Sequence, residues 1–587
     1  MAQQPSLSQP QYRIVVERNL PAKMRDGVTL RADVHRPDAP GAFPVILMRV
    51  PYDKTAATPL HYVDYFVPRG YVVVVQDTRG RYASEGEYYP LIHEATDGYD
   101  SVEWAATLPW ADGRVGTAGQ SYHGATQYLL SHTRPPHLVC QVPISASADF
   151  HASWVYHTGG AFEFGWQVPY AIFMARNTAE RKGLGGAYLR RLDEYVLPEI
   201  NFAQPLKDEW YRHLPIKDWA DWLKDTAPYF VEYLNHPNDG PYWEPLNLYN
   251  YHQHIGTPMY HIGSWYDIFQ EGTLGNFTGI VRHGRPEART TQKLLMGPWG
   301  HLRPYAAPTT GGTGDIDFGP HAAIEIHDIE LRWFDHWLKG IDTGFMREPP
   351  VKIFVMGDNV WREEQEWPLA RTQYTTYYLH SQGSANSLHG NGTLSPETPA
   401  QEPPDSYVYD PHDPVPTRGG NTLVIPMGVY DQRPVEERRD VLCYTSETLS
   451  RPLEITGPIS VKLYAASSAP DTDFTAKLVV VRPDGYAQNL ADGIIRARYR
   501  NSRTDPSPIT PGAIYEYNID LWSTSYVFPP GSRIRVEIAS ANFPRFDRNP
   551  NTGQALFADA ELQAATQTIF HDATHPSRIV LPVIPHA

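Results

Sequence analysis

Two unbroken apolar runs, Pro44-Val45-Ile46-Leu47-Met48 and Tyr71-Val72-Val73-Val74-Val75, constrain this chain more than any other feature. A strand with one wet face alternates apolar and polar residues. A run without alternation suits a strand covered on both faces, as in a parallel sheet layered between helices. The flanking pattern agrees. Ile14 to Val16 and Thr29 to Val34 flank Met24-Arg25-Asp26-Gly27, which reads as a hairpin turn between antiparallel strands. Between Asp97 and Ala106, Tyr99, Val102, Trp104 and Ala105 recur at the spacing of an amphipathic helix. Val115-Gly116-Thr117-Ala118 is a short strand entering a glycine-rich elbow, after which Tyr122 to Ser131 resumes as helix. Strand, helix, strand, helix predicts an α/β unit over the first 145 residues.

At 587 residues the chain exceeds what a single core organises, so several domains are expected. From about 150 to 252, aromatic and charged residues at helical spacing dominate, as in Ala179 to Leu192 and Asp218 to Tyr233, which predicts a helical insertion. Strands return at Met259 to Ile262 and Lys293 to Met296, followed by a helix over Ile324 to Leu338. Beyond Pro350, short strands such as Val351 to Val355, Ile459 to Tyr464, Ala476 to Val481 and Arg533 to Ile538 alternate with Pro/Gly/Asn turns. That texture predicts an all-β sandwich. The polar, proline-rich segment from Ser381 to Pro416 reads as a long surface connection.

A net charge of −16 without a compensating Lys/Arg cluster argues against nucleic-acid binding. No apolar run approaches the roughly 20 residues that span a bilayer, and MAQQPSLSQP carries no signal-peptide pattern. A cytoplasmic protein without a membrane partner is expected. Cys140 and Cys443 lie far apart in sequence and read as free buried thiols.

Gly119-Gln120-Ser121-Tyr122-His123-Gly124 is the feature that carries chemistry. A serine on a tight strand-to-helix turn projects its hydroxyl clear of the backbone, and the helix start favours developing negative charge. The generic pattern is G-x-S-x-G; here His123 holds the second small position and Gly124 follows one place later. Two later strands end in matching fashion: Met259 to Gly263 leads through Trp265-Tyr266 to Asp267, and Leu294 to Gly297 leads through Pro298-Trp299-Gly300 to His301. The order Ser, acid, His is that of an α/β-hydrolase, with each residue at the carboxyl edge of the sheet. Ser121, Asp267 and His301 are therefore the candidate triad. The N–H of Tyr122 is a candidate oxyanion donor. Tyr52, after the strand ending Met48-Arg49-Val50-Pro51, is either a second donor or a packed aromatic.

Arg49-Val50-Pro51-Tyr52, Gln76-Asp77-Thr78-Arg79-Gly80, the Ser121 motif, Trp265-Tyr266-Asp267 and Gly297-Pro298-Trp299-Gly300-His301 resemble the family of bacterial cocaine esterases. They are equally similar to α-amino-acid ester hydrolases, glutaryl-cephalosporin acylases and X-prolyl dipeptidyl-peptidases. Asp471-Thr472-Asp473-Phe474, Asp492-Gly493-Ile494 and Asn542-Phe543-Pro544-Arg545-Phe546 extend the resemblance over nearly the whole chain. In this family the serine is followed by Tyr-x-Gly, so His123 fits its pattern. The resemblance implies Ser121, Asp267 and His301 as triad, with the Tyr52 hydroxyl and the Tyr122 N–H as oxyanion donors. It implies an α/β-hydrolase core (residues 1–149 and 253–348), an inserted helical cap (150–252) and a C-terminal jelly-roll-like β-sandwich (349–587). The function implied is cleavage of small-molecule carboxylic esters through an acyl-enzyme, with neither metal nor organic cofactor. Amide cleavage is the rival reading, and an inert carbohydrate-binding protein is a rival of another class. Whether the chain forms a homo-oligomer stays open.

Amine-reading relatives carry acids two and three residues after the triad Asp; this chain has Phe269 and Gln270 there. Phe269 matches an aromatic acyl pocket instead. Trp154 and Trp166 either close that pocket or serve helix packing. Glu163, the one nearby acid in the early cap that a free-amine reader would use, reads equally well as a solvated helix charge. His252 and His254 lack a third zinc ligand, and Asp471 and Asp473 read as hydrogen-bonding residues rather than calcium ligands. Thr310-Gly311-Gly312-Thr313-Gly314 reads as a flexible turn.

Overall fold

The computed structural model describes residues 7–197, 204–301 and 312–585. Ten strands form the first sheet: β1 (Ile14–Lys23), β2 (Thr29–Pro37), β3 (Phe43–Val50), β4 (Val72–Asp77), β5 (Ala111–Gln120), β6 (Leu138–Ile144), β7 (Met259–Tyr266), β8 (Gln292–Gly300), β9 (Val351–Val355) and β10 (Val360–Glu364). Their spatial order is β1-β2-β4-β3-β5-β6-β7-β8-β9-β10. Neighbours from β4 through β3 to β9 run parallel, while β1, β2 and β10 pair antiparallel at the two edges.

The apolar runs are now explained residue by residue. Ile46, Met48, Val73 and Val75 enter one core with helix α1 (Ala57–Phe66) and the helix Ile326–Lys339. Their alternates Val45, Leu47, Val72 and Val74 enter another, against α2 (Glu94–Ala106) and α3 (Tyr122–Ser131). Each strand feeds two cores, so neither face tolerates a polar residue.

Between β6 and β7 lies the expected helical region. It opens with a π-helical turn, His151–Val155, and α4 (Phe164–Arg181). The two helical runs read from sequence are each divided. Gly183, at φ +66°, separates α4 from the helix Gly185–Tyr195, and Pro228 starts a new helix after Asp218–Leu223. Pro169 inside α4 cannot donate to the carbonyl of Gly165. The Tyr211 hydroxyl fills that place at 2.9 Å, so the first turn keeps its shape.

The C-terminal part holds an eleven-stranded sheet that is mixed and open. Its spine is the strand Leu453–Ser467, which pairs with Tyr515–Phe528, Ala565–Phe570 and Arg578–Ile584. Two sequence expectations need correction here. Val351–Val355 does not start this sheet; it is β9, parallel to β8, because its apolar residues complete the edge of the hydrolase sheet. The segment from Ser381 to Pro416 is not only surface connection. It supplies strands Thr393–Ser395 and Asp405–Tyr409, and the buried Asp405 carboxylate accepts hydrogen bonds from Ser381 and Tyr444. Cys140 and Cys443 are buried and unpaired, one in each sheet. Among the described residues no helix is long and apolar enough to cross a membrane.

Candidate active site

β5 ends in the elbow that presents Ser121. The serine sits at φ +62°, ψ −124°, a strained conformation for a residue with a side chain. Gly119, at φ +130°, permits it: a Cβ there would lie 2.5 Å from the Cβ of His123. Gly124 is needed for a different reason. A Cβ there would come within 2.7 Å of the Ile144 carbonyl, so this glycine lets α3 lie against β6. The His123 imidazole is fully enclosed beside Tyr52, and burial lowers its pKa to about 3, leaving it neutral.

β7 and β8 deliver the other two residues to the same edge. His301 Nε2 is 3.0 Å from Ser121 Oγ, and His301 Nδ1 is 3.0 Å from Asp267 Oδ1. Asp267 and His301 are buried, while Ser121 is partly exposed. With Nδ1–H donated to the carboxylate, as the network assigns it, Nε2 is free to accept the serine proton. Asp267 Oδ1 also accepts the N–H of Phe269 at 2.7 Å, and the Gln120 amide bonds the His301 carbonyl. Such a chain is able to generate a nucleophilic alkoxide and stabilise the resulting imidazolium.

The Tyr122 N–H is at the first position of α3, among the helix-start donors without an intrahelical partner. Its side chain is anchored by donation to Glu94 at 2.9 Å and acceptance from the Leu91 N–H. Tyr52 follows β3 and packs edge-on against Tyr122, with ring centroids 6.4 Å apart. Its hydroxyl lies 3.0 Å from that of Tyr170. Burial pushes the Tyr52 phenol well above its ordinary range, against the opposing pull of Tyr170, Arg81 and Ser121, so it stays a neutral donor. Buried Arg81 donates to the Pro51 and Met174 carbonyls, tying the Tyr52 turn to α4.

Trp154, Trp166 and Phe269 meet beside the serine and histidine. Trp154 stacks on Phe269 at 4.8 Å and 7°, Trp166 is edge-on to both, and Phe269 is edge-on to His301 at 5.1 Å. Trp154 also contacts Tyr122. Gln270 is turned away: its amide donates to the Trp265 and Ser523 carbonyls, and its oxygen accepts from the Ser523 N–H.

Three features escaped the sequence reading. Tyr170 stands one helical turn beyond Trp166 and had no motif to mark it. Asn421 donates to the carbonyls of Trp265 and Asp267, both at 2.9 Å, and so braces the turn that carries the acid. Leu423 and Ile425, with Val424 and Met427, enter the apolar cluster of Trp154, Trp166 and Phe269. The glycines flanking that loop, Gly419, Gly420 and Gly428, signalled a tight excursion but not its destination. Of the two readings of Glu163, the solvated helix charge is overturned. The residue is buried at the start of α4, 3.6 Å from Arg545, because the β-rich part covers this end of the helix. Burial raises its carboxyl to about 7, with Arg545 opposing and Asp492 adding to the shift.

The remaining polar groups have local partners. His252 bonds Asn276, Asp471 pairs with Arg498, and Asp473 pairs with Arg496. Among the described residues no group of three His, Cys, Asp or Glu is arranged to hold a metal. Thr310 and Gly311 lie outside the described residues, whereas Gly312–Thr313 pairs with Ile316–Asp317.

Residues 26–303 match the family model described as X-Pro dipeptidyl-peptidase (S15 family). Residues 343–580 match the X-Pro dipeptidyl-peptidase C-terminal non-catalytic domain. The chain is 38% identical to the cocaine esterase of Rhodococcus sp. (strain MB1 Bresler), over 97% of this chain and 98% of that protein. Among solved structures it resembles an aminopeptidase from a marine sediment Thaumarchaeota archaeon (TM-score 0.83, 27% identity, covering 98% and 97% of the two chains). It also resembles an α-amino acid ester hydrolase (TM-score 0.80, 26% identity, 98% of each chain). The chain belongs to this family of cocaine esterases and S15 X-Pro dipeptidyl-peptidases.

Proposed function

We propose that this chain is a serine carboxylic ester hydrolase acting through an acyl-enzyme. The observation that carries the reading is the chain Ser121 Oγ, His301 Nε2, His301 Nδ1, Asp267 Oδ1, with 3.0 Å at each hydrogen bond, starting from a strained serine at a sheet edge. Ser121 attacks the ester carbonyl as His301 Nε2 takes its proton. Asp267 holds the imidazole and stabilises its cation. The tetrahedral oxyanion accepts hydrogen bonds from the Tyr122 N–H and the Tyr52 hydroxyl. His301 then returns the proton to the departing alkoxide, leaving the acyl group on Ser121 Oγ. Water, deprotonated by His301, attacks that ester; the acid leaves and Ser121 recovers its proton. Every step uses side chains and backbone donors of this chain.

Trp154, Trp166 and Phe269 form the acyl-side wall in this reading, which favours esters of bulky aromatic acids. The cocaine esterase, similar over nearly its whole length, supports that class. Aminopeptidase and amino-acid ester chemistry among the structural relatives keeps amine-bearing substrates in view. Against them, the position two residues after Asp267 holds a stacked phenyl ring and the next an amide engaged elsewhere. We divide the chain into hydrolase core (1–149 and 253–348), cap (150–252) and jelly-roll-like domain (349–587), a last boundary close to the start of the C-terminal family match at residue 343.

A fluorophosphonate probe tests the assignment. The parent is expected to be labelled at Ser121 and the Ser121→Ala variant not at all; a parent that stays unlabelled sinks it. Benzoyl and acetyl esters assayed beside their isosteric amides test the ester class. Amide turnover at a comparable rate would move the chain to the peptidase side.

A further inference from the structure

We propose that Tyr170 is a positioning residue for the oxyanion hole: its hydroxyl, 3.0 Å from that of Tyr52, donates to Tyr52 and so aims the Tyr52 hydrogen at the reacting carbonyl oxygen. The proposal rests on the reading above in which Tyr52 is an oxyanion donor.

A phenol has one hydrogen and can be donor and acceptor at once. Of two phenols sharing one hydrogen bond, only one donates across it. If Tyr52 donates to Tyr170, its single hydrogen is spent and the oxyanion loses a ligand. If Tyr170 donates, the Tyr52 oxygen is engaged as acceptor and its own hydrogen must turn elsewhere. Tyr52 packs against Tyr122 and His123, the two residues that follow Ser121, so that hydrogen is available on the side of the reacting carbonyl. As negative charge develops on the carbonyl oxygen, the sequence Tyr170 O–H, Tyr52 O–H, oxyanion becomes the favoured direction. Each donation polarises the next, which strengthens both bonds.

The surroundings hold Tyr170 for this task. Its ring is edge-on to Tyr52 at 6.3 Å and to Trp154 at 6.3 Å, and tilted against Trp166 at 5.5 Å. Both Tyr170 and Trp166 belong to α4, four residues apart, so they share one helix face. The first turn of that helix is fixed by Tyr211 at the Gly165 carbonyl and by the Gly165 N–H on the Arg545 carbonyl, 3.0 Å away. Arg81 fixes the opposite partner by gripping Pro51, next to Tyr52, and Met174 of α4. Two elements distant in sequence are thus tied at a spacing that makes the hydroxyls meet. Burial pushes both phenols above their ordinary range, so each keeps its hydrogen at neutral pH.

Tyr170→Phe keeps the ring and deletes the hydroxyl. In the full-length protein we expect kcat on a benzoyl ester to fall roughly 5- to 30-fold with KM little changed, the loss worth about one hydrogen bond. Tyr52→Phe should cost more, and the double variant Tyr52→Phe/Tyr170→Phe no more than Tyr52→Phe alone. A Tyr170 that served packing only would instead give multiplying losses and a lowered Tm. Unchanged kcat in Tyr170→Phe, or losses that multiply in the double variant, overturns the proposal. Fluorophosphonate labelling of the parent separates the two readings. If the parent is labelled at Ser121 and Tyr170→Phe turns over like it, Tyr170 alone has been misassigned; if the parent is unlabelled, the hydrolase reading itself has failed.

Discussion

The indole of Trp154 lies parallel to the ring of Phe269, centroids 4.8 Å apart and 7° from coplanar. One ring comes from the helical insertion and the other from the turn two residues after the triad carboxylate. Because Phe269 also meets the edge of His301, the proposed acyl wall and the proposed base share one surface. The amide of Phe269 donates to Asp267, so the ring's position follows that of the acid.

Replacing Trp154 with Leu should therefore change selectivity more than chemistry. We expect the ratio of kcat/KM for benzoyl over acetyl esters to fall about 10-fold or more, through loss of aromatic contact area. Parallel progress curves on the two esters check this; an unaltered ratio would return Trp154 to a packing role.

Tyr52→Phe removes the proposed side-chain oxyanion donor and keeps the ring that packs on Tyr122 and His123. A loss near 10²-fold in kcat is expected, with KM moved far less, because the donor acts where charge develops. Steady-state kinetics on an activated ester measure it. A loss below threefold would leave the Tyr122 N–H as sufficient.

Asn421→Ala strips two buried carbonyls, those of Trp265 and Asp267, of a donor each. About 2–3 kcal/mol of stability should go, readable as a lower denaturant midpoint at unchanged m-value. The released turn carries Asp267, so kcat should fall together with stability. A variant with parental kcat would mean the turn holds its shape unaided.

Glu163 makes stability depend on pH in a defined direction. Unfolded, it ionises near its ordinary value of 4.5; folded, burial holds its proton to about 7. Between these values the native state binds more protons, so this contribution is whole below about 4.5 and is lost as pH rises through 7. Glu163→Gln cannot ionise. Its stability relative to the parent should rise by as much as about 3 kcal/mol between pH 4.5 and 8. Urea unfolding of both proteins at several pH values reads the difference, and a flat difference contradicts the burial argument.

Much of the core was legible because its determinants are local. A strand buried on both faces has to be apolar throughout, and a strained elbow has to have small residues where backbone or side chain would collide. Val72 to Val75 and Gly119 announce those demands directly. The hydrolase order was legible because β5, β7 and β8 each end at the same sheet edge, which places Ser121, Asp267 and His301 side by side. The sequence reading misplaced Val351–Val355, because an apolar strand carries no mark of which sheet it will join. It left Glu163 between two readings for a similar reason: a charge at a helix start looks solvated until another part of the chain covers it.

Ser121, its elbow and the composition of the two apolar layers were determined by the sequence alone, through backbone geometry and the hydrophobic demand of a covered sheet. The meeting of Tyr52 with Tyr170, of Trp154 with Phe269, of Asn421 with the acid turn and of Arg545 with Glu163 was decided only in the tertiary structure. Each joins residues more than 100 positions apart, and no local periodicity encodes such a distance. Packing between the sheet edge, the helical insertion and the β-rich domain sets those contacts, and with them the walls of the site.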